Sequence, residues 1–184
     1  MGKIYLPYLA EIVDIRQETP DVKTFKLKFT DPAVANSFNY KPGQFVEFSV
    51  FGEGEVPFCI SNSPTRKSSP VRSKSAEGIA APLARTSNGA SIECSVKRMG
   101  KITQALHELD TGDTVGIRGP YGNGFPIDDL KNKNILFVAG GIGLAPLRSL
   151  INYCLDNRDD FKTITIVNGA RTSKDLVYKD EYDS

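Results

Sequence analysis

The chain has 184 residues, 40% hydrophobic and 24% charged, with a formal net charge of +1. That length suits one or two domains. The near-neutral balance gives no electrostatic support to a nucleic-acid or acidic-membrane binder.

At the N-terminus, MGKIYLPYLAEIVDIR is broken by Glu11 and Asp14 and lacks the apolar core of a secretory signal. No later run approaches the ~20 apolar residues of a membrane span. From residue 8 to about 118 the pattern is one of strands. In TFKLKF (24–29), Phe25, Leu27 and Phe29 alternate with Lys26 and Lys28, which predicts a half-buried strand. KPGQ (41–44) is turn chemistry, and FVEFSVF (45–51) that follows is rich in β-branched and aromatic residues. PFCIS (57–61), SIECSVKR (91–98) and TVGIR (114–118) are further strands. Many short strands with Gly/Pro turns point to a small barrel or sandwich.

One helix is predicted among them: Ile102, Ala105, Leu106 and Leu109 recur at helical spacing. After the glycine-dense loop GPYGNGF (119–125), NILFVA reads as a strand buried on both faces of a parallel sheet. A helix with Leu147, Leu150, Ile151, Cys154 and Leu155 on one stripe follows, then the strand TITIV (163–167). This is the start of a βαβ unit, so a domain boundary is expected near residues 126–133. Residues 66–90 fit neither part. They carry five basic residues and one acidic, show no period, and are expected to form a mobile loop.

Cys59, Cys94 and Cys154 form no CxxC pair and read as buried thiols of a reducing compartment, so a cytoplasmic location is expected. His107, the single histidine, reads as solvated or capping. No nucleophile–base pair or metal cluster is visible, as suits a protein whose cofactor carries the chemistry.

Two stretches carry the site. Gly140, Gly141 and Gly143 follow a strand and precede a helix in which Ala145 and Pro146 fall in the first turn. Glycines let a backbone approach a pyrophosphate, and a helix start offers free N–H groups. Pro146 occupies the third glycine slot of G-x-G-x-x-G, and a tight strand–helix turn is the competing reading. In VKRMGKIT (96–103), Lys97, Arg98 and Gly100 lead into a helix through Ile102 and Thr103. This is a second candidate anion site, or a helix cap flanked by two solvated charges.

As an ordered set, PFCISNSP, GKIT, GPYG and GGIGLAP resemble the ferredoxin–NADP reductase superfamily. The likeness is greatest to the flavoprotein gamma subunits of cytosolic sulfhydrogenases and the B subunits of anaerobic sulfite reductases. It spans residues 5–65 and 91–182. It implies a six-stranded antiparallel Greek-key flavin-binding barrel over residues 1–128, holding the 66–90 insert. A partial Rossmann-like nicotinamide-binding domain over 133–184 is implied to follow.

The family's flavin motif Arg-x-Tyr-Ser falls on Val56, Pro57, Phe58 and Cys59, so its arginine and serine are absent. The resemblance then leaves the backbone of Pro57, Phe58, Cys59, Ile60 and Ser61 for the isoalloxazine, with Arg98 or Lys97 as charge partner for the phosphates. The family's phosphate turn falls on Gly100 and Thr103, its nicotinamide loop on Gly140 through Pro146, and its GAR stretch ends at Arg171. FAD is the implied cofactor, with FMN an alternative, and NAD(P)H the implied substrate. An iron–sulfur electron-transfer subunit, or hydrogenase or sulfite reductase subunits, are the implied partners. Relatives continue into further strands and a cysteine-rich tail holding a [2Fe–2S] cluster; here the sequence ends at KDEYDS, so no cluster is assigned. A non-catalytic flavin-binding or scaffold subunit is the alternative function.

Overall fold

A computed structural model describes residues 5–66 and 91–182. The expected loop lies outside the described residues except for Arg66, which ends a short 3-10 turn and is ion-paired to Asp156 at 2.6 Å. Six strands form one antiparallel sheet: β1 (Tyr8–Thr19), β2 (Val22–Phe29), β3 (Phe45–Val50), β4 (Gly54–Cys59), β5 (Ser91–Lys97) and β6 (Thr114–Tyr121). Their order is β4-β3-β6-β1-β2-β5. A bridge between Ile60 and Cys94 joins the two outer strands, and the sheet curls into a barrel. The alternation of β2 places Phe25, Leu27 and Phe29 inside with Ile12, Phe48, Ile92 and Ile117.

The opposite face of β2 departs from the half-exposed expectation. Thr24 and Lys26 are buried; beside Thr24 the C-terminal segment packs on the sheet, with Tyr178 reaching the Ser95 hydroxyl that Thr24 bonds. β6 likewise runs on through Gly119–Tyr121, which the sequence pattern assigned to a loop.

Helix α1 (Pro32–Ser37) is unanticipated: six residues are too few for a periodic pattern, although Asp31 accepts the Ala33 N–H as an N-cap and Pro32 opens the turn. Helix α2 (Lys101–Glu108) closes one end of the barrel with Leu106 fully buried. His107 is neither solvated nor a cap. Its Nε2 lies 2.9 Å from the Val96 carbonyl oxygen, its ring meets Phe25 edge-on, and burial lowers its pKa.

A short helix α3 (Ile127–Leu130) occupies the expected boundary, with Ile127 and Leu130 packed on a second apolar cluster. That cluster is built from β7 (Ile135–Gly140), α4 (Leu144–Asp156) and β8 (Ile164–Gly169), with β7 and β8 parallel from Ile135–Ile164 to Gly140–Gly169. Among the described residues, helix α4 covers only one face of this pair. Ile135 and Phe137 are buried, whereas Leu136 is 63% and Val138 67% exposed, so β7 is not covered on both faces. Leu155 also leaves the predicted stripe and is exposed.

Gly43 shows how the turn before β3 is fixed. Its φ is +90°, and a Cβ there would stand 2.6 Å from the Phe125 ring. Gly52 has a similar φ of +87° but open space around it. Backbone strain alone costs Gly52→Ala about 1 kcal/mol, whereas overpacking raises the cost of Gly43→Ala to about 2–4 kcal/mol. Urea denaturation midpoints of the two variants should separate in that order, and equal midpoints would contradict the contact with Phe125.

Candidate functional site

Lys97, the last residue of β5, and Arg98, which follows it and whose N–H still donates to Asp21 O, line different clefts, as alternation of successive extended residues would have them. Arg98 lines a cleft of about 430 Å³ with Met99, Gly100, Lys101 and Gln104. There the Thr103 Oγ1 accepts from the Met99 and Gly100 N–H groups at 2.9 and 2.8 Å and donates to the Gly100 carbonyl. The first helical bond runs from Gln104 N–H to Gly100 O. The N–H groups of Lys101, Ile102 and Thr103 are thus left for a ligand at the cleft. A Cβ on Gly100 would meet nothing within 4 Å. Ile102 points the other way and seats the helix: a Cβ on Gly54 would lie 2.9 Å from its Cδ1.

The stretch Pro57–Ser61 divides in two. Pro57, Phe58 and Cys59 lie along β4, an outer strand of the sheet, with Phe58 edge-on to Phe48. The Ile60 N–H donates to Gln44 O, so ladder alternation turns the Cys59 N–H away from β3. Ile60 is core, and the Ser61 N–H and hydroxyl both donate to Glu93 O. The backbone N–H groups of Ile60 and Ser61 are thereby taken up by carbonyls of the barrel. The thiol readings hold for Cys94 and Cys154, which are fully buried, while Cys59 is half-buried; burial raises the pKa of all three.

Lys97 faces a different cleft, about 580 Å³, between the barrel and the C-terminal ends of β7 and β8. Gly140, Gly141, Gly169 and Arg171 form one side, and Thr19, Asp21 and Lys97 the other. Gly141 has φ +52°, and no Cβ on Gly140, Gly141 or Gly143 would touch a neighbour. The backbone there is open to a bulky anion. Pro146 is the third residue of α4, where no helical N–H is needed, and Ala145 is buried against the core. Lys97 is shared with Asp21, 3.3 Å away.

Sequence reasoning missed Thr19 and Asp21, which reach this cleft because the β2–β5 ladder pairs Val22 with Lys97, and it missed Arg148. The latter lies one turn after Leu144 and one before Ile151, on the buried side of α4. A charge at that spacing was the available signal. Its side chain is 11% exposed, and its pKa is raised: burial opposes its charge, but its hydrogen bonds to Glu181 and the charges of Glu93 and Glu181 prevail.

A six-stranded barrel joined to a parallel strand–helix–strand unit, each with a cleft beside basic side chains, fits the class that the family models give: an oxidoreductase unit with FAD- and NAD-binding domains. The family model described as the oxidoreductase FAD-binding domain matches residues 9–125, and that described as the oxidoreductase NAD-binding domain matches 137–184. The chain belongs to the oxidoreductase FAD-binding domain family.

Among relatives, the sulfhydrogenase 1 subunit gamma of Pyrococcus furiosus is 36% identical over 180 residues, 98% of this chain and 54% of that protein. A probable dihydroorotate dehydrogenase B (NAD(+)), electron transfer subunit, of Methanocaldococcus jannaschii is 34% identical over 178 residues, 96% of this chain and 53% of that protein. The flavohem-like FAD/NAD binding domain of nitric oxide dioxygenase from Vibrio cholerae shares the fold. Its TM-score is 0.74 at 18% identity, over 96% of this chain and 68% of that one. The chain spans about half the length of the curated relatives it matches.

The donor sets fit both groups. Arg98 and the start of α2 at Gly100 and Lys101 line one cleft; the open glycine loop and Arg171 line the other.

Acid should loosen the junction between these clefts. Burial pushes the Glu181 carboxyl up, but its hydrogen bonds from Arg148 outweigh that and hold it below the ordinary value of 4.5. A carboxyl lowered on folding stabilises fully above its unfolded pKa and loses that contribution as the pH falls through the folded one. Melting temperature should therefore drop as the pH falls below the ordinary carboxyl value of 4.5, and Glu181→Gln should flatten that limb. Parallel acid limbs in the two proteins would contradict the pairing.

Proposed function

We propose that this chain is the flavin and nicotinamide part of a cytoplasmic electron-transfer subunit, passing electrons between NAD(P)H and an iron–sulfur partner protein through bound FAD. One observation carries the reading: the last residues of β5 separate the two clefts, with Lys97 toward the glycine loop and Arg98 toward the start of α2. Two dinucleotides on either side of one strand end can bring their rings together while their phosphates stay apart. Bound FAD would accept a hydride from the nicotinamide, two electrons at once, and release electrons singly to the partner.

The chain's own residues bind and orient. Arg98 with the Lys101–Thr103 N–H groups would hold the flavin pyrophosphate, and Pro57, Phe58 and Cys59 would border the ring. Gly140–Gly143 with Arg171 would hold the nicotinamide pyrophosphate. The partner is an iron–sulfur protein of the kind that hydrogenase or sulfite reductase assemblies contain. A second reading is a flavin-binding subunit without nicotinamide turnover.

Anaerobic mixing of the FAD-loaded protein with NADH or NADPH tests the two. Bleaching of the flavin band supports the first reading; retained FAD with no bleaching supports the second, and failure to retain FAD defeats both.

The two cations should separate in binding assays. A charge-assisted hydrogen bond contributes about 1.5 kcal/mol or more, so Arg98→Ala should weaken FAD binding about tenfold. Lys97→Ala should leave FAD affinity unchanged and weaken the nicotinamide dinucleotide instead. Equal loss of FAD from both variants would contradict the division at β5.

A further inference from the structure

Helix α4 begins directly after the glycine loop, and one turn in it reaches back to the barrel. Arg148 Nη1 donates to the Ser61 carbonyl at 3.1 Å and to Glu93 Oε2 at 2.8 Å. Its Nε and Nη2 form a fork on Glu181 at 2.8 and 2.7 Å, and its guanidinium lies 4.8 Å from the centre of the Tyr178 ring. The next residue repeats the gesture: the buried Ser149 Oγ donates to the Asn62 carbonyl at 2.8 Å. Asn62 is itself tied to β5, accepting from the Glu93 N–H and donating to Ser91 O. Two successive carbonyls that follow Cys59 and Ile60 are thus held by two successive residues of α4.

We propose that Arg148 is a positioning residue: it locks the flavin-edge segment of the barrel to the helix that carries the glycine loop, and so sets the spacing of the two rings. The inference rests on the electron-transfer reading above for its consequence, though not for the contact itself. Buried ion pairs add little stability over apolar packing, because desolvation offsets their attraction. What this one supplies is geometry. Its planar guanidinium reaches the Ser61 carbonyl, Glu93 and Glu181 together, so a single rigid group spans the segment after β4, β5 and the C-terminal segment. Ring positioning is the quantity most sensitive to such a lock, since a displacement of about 1 Å can slow transfer about a hundredfold. The neighbouring charges are compatible with a lock: Arg16 lies 4.0 Å from Glu181 and pairs with Glu18 at 2.6 Å, while Glu18 accepts the Tyr178 N–H.

The test compares wild type, Arg148→Lys and Ser149→Ala, all FAD-loaded. Lysine keeps the charge but cannot span Ser61, Glu93 and Glu181 together; the alanine variant removes one neutral bond and protects the test should the lysine protein fold poorly. Amide hydrogen exchange at Ile60 and Ser61 should accelerate in both variants. The charge-transfer absorbance of reduced flavin with NAD(P)+ should fall below about half in Arg148→Lys, and its limiting reduction rate should fall about tenfold or more, with KM within about threefold and FAD affinity unchanged. A smaller change in the same direction is expected for Ser149→Ala. Unchanged exchange and an unchanged charge-transfer band would overturn the proposal, as would a loss confined to KM. If wild type is not reduced by either nucleotide, the electron-transfer reading fails and the exchange measurement alone decides the lock: faster exchange at residues 60 and 61 upholds it, unchanged exchange overturns it.

Discussion

The fork between Arg148 and Glu181, with Glu93 on the same guanidinium, is the interaction on which the rest of the arrangement depends. It lies where the barrel wall, helix α4 and the C-terminal segment meet, and all three groups are largely withdrawn from water. An ion cluster is a poor source of stability in such a place, since removing charges from water costs about what their attraction returns. Its value is directional. Apolar packing between Val22, Val177 and the α4 face tolerates sliding, whereas a bidentate fork and carbonyl contacts of 2.7–3.1 Å do not.

That constraint gives the two clefts a common reference. β5 contributes Glu93 to the cluster at its middle and Lys97 and Arg98 to the clefts at its end. The polar outer face of β2 and β5, where Thr24, Lys26 and Ser95 are buried, follows from the same junction. A strand that presents apolar residues to its own core and hydrogen-bonding residues to a second unit serves two interiors at once. The division of labour between neighbouring side chains then needs no further device: strand alternation sends one cation each way.

Much of this was legible in the sequence. The inward face of β2 was, because Phe25, Leu27 and Phe29 keep a strict period of two, and so was the glycine loop, because Gly140 to Pro146 is local chemistry. Thr24 was not: alternation assigns it to solvent, and its Ser95 neighbour meets Tyr178 of the distant C-terminal segment. The apolar run of β7 misled in the opposite direction. Its composition suits a strand covered twice, yet among the described residues α4 covers the Phe137 face alone. Arg98 and Lys97 were recognised as a pair with one task, since sequence shows proximity but not the side of the strand. Arg148 was overlooked because its partners lie 55, 87 and 33 residues away, beyond any local pattern.

The central claim is that one strand end keeps a flavin and a nicotinamide dinucleotide on opposite sides. A crystal structure of the protein with FAD and NAD(P)+ bound tests it most directly. The account places the flavin pyrophosphate against Gly100–Thr103 and Arg98, and the nicotinamide pyrophosphate against Gly140–Gly143 beside Lys97. Both pyrophosphates in one cleft, or either of them away from these two stretches, would contradict it.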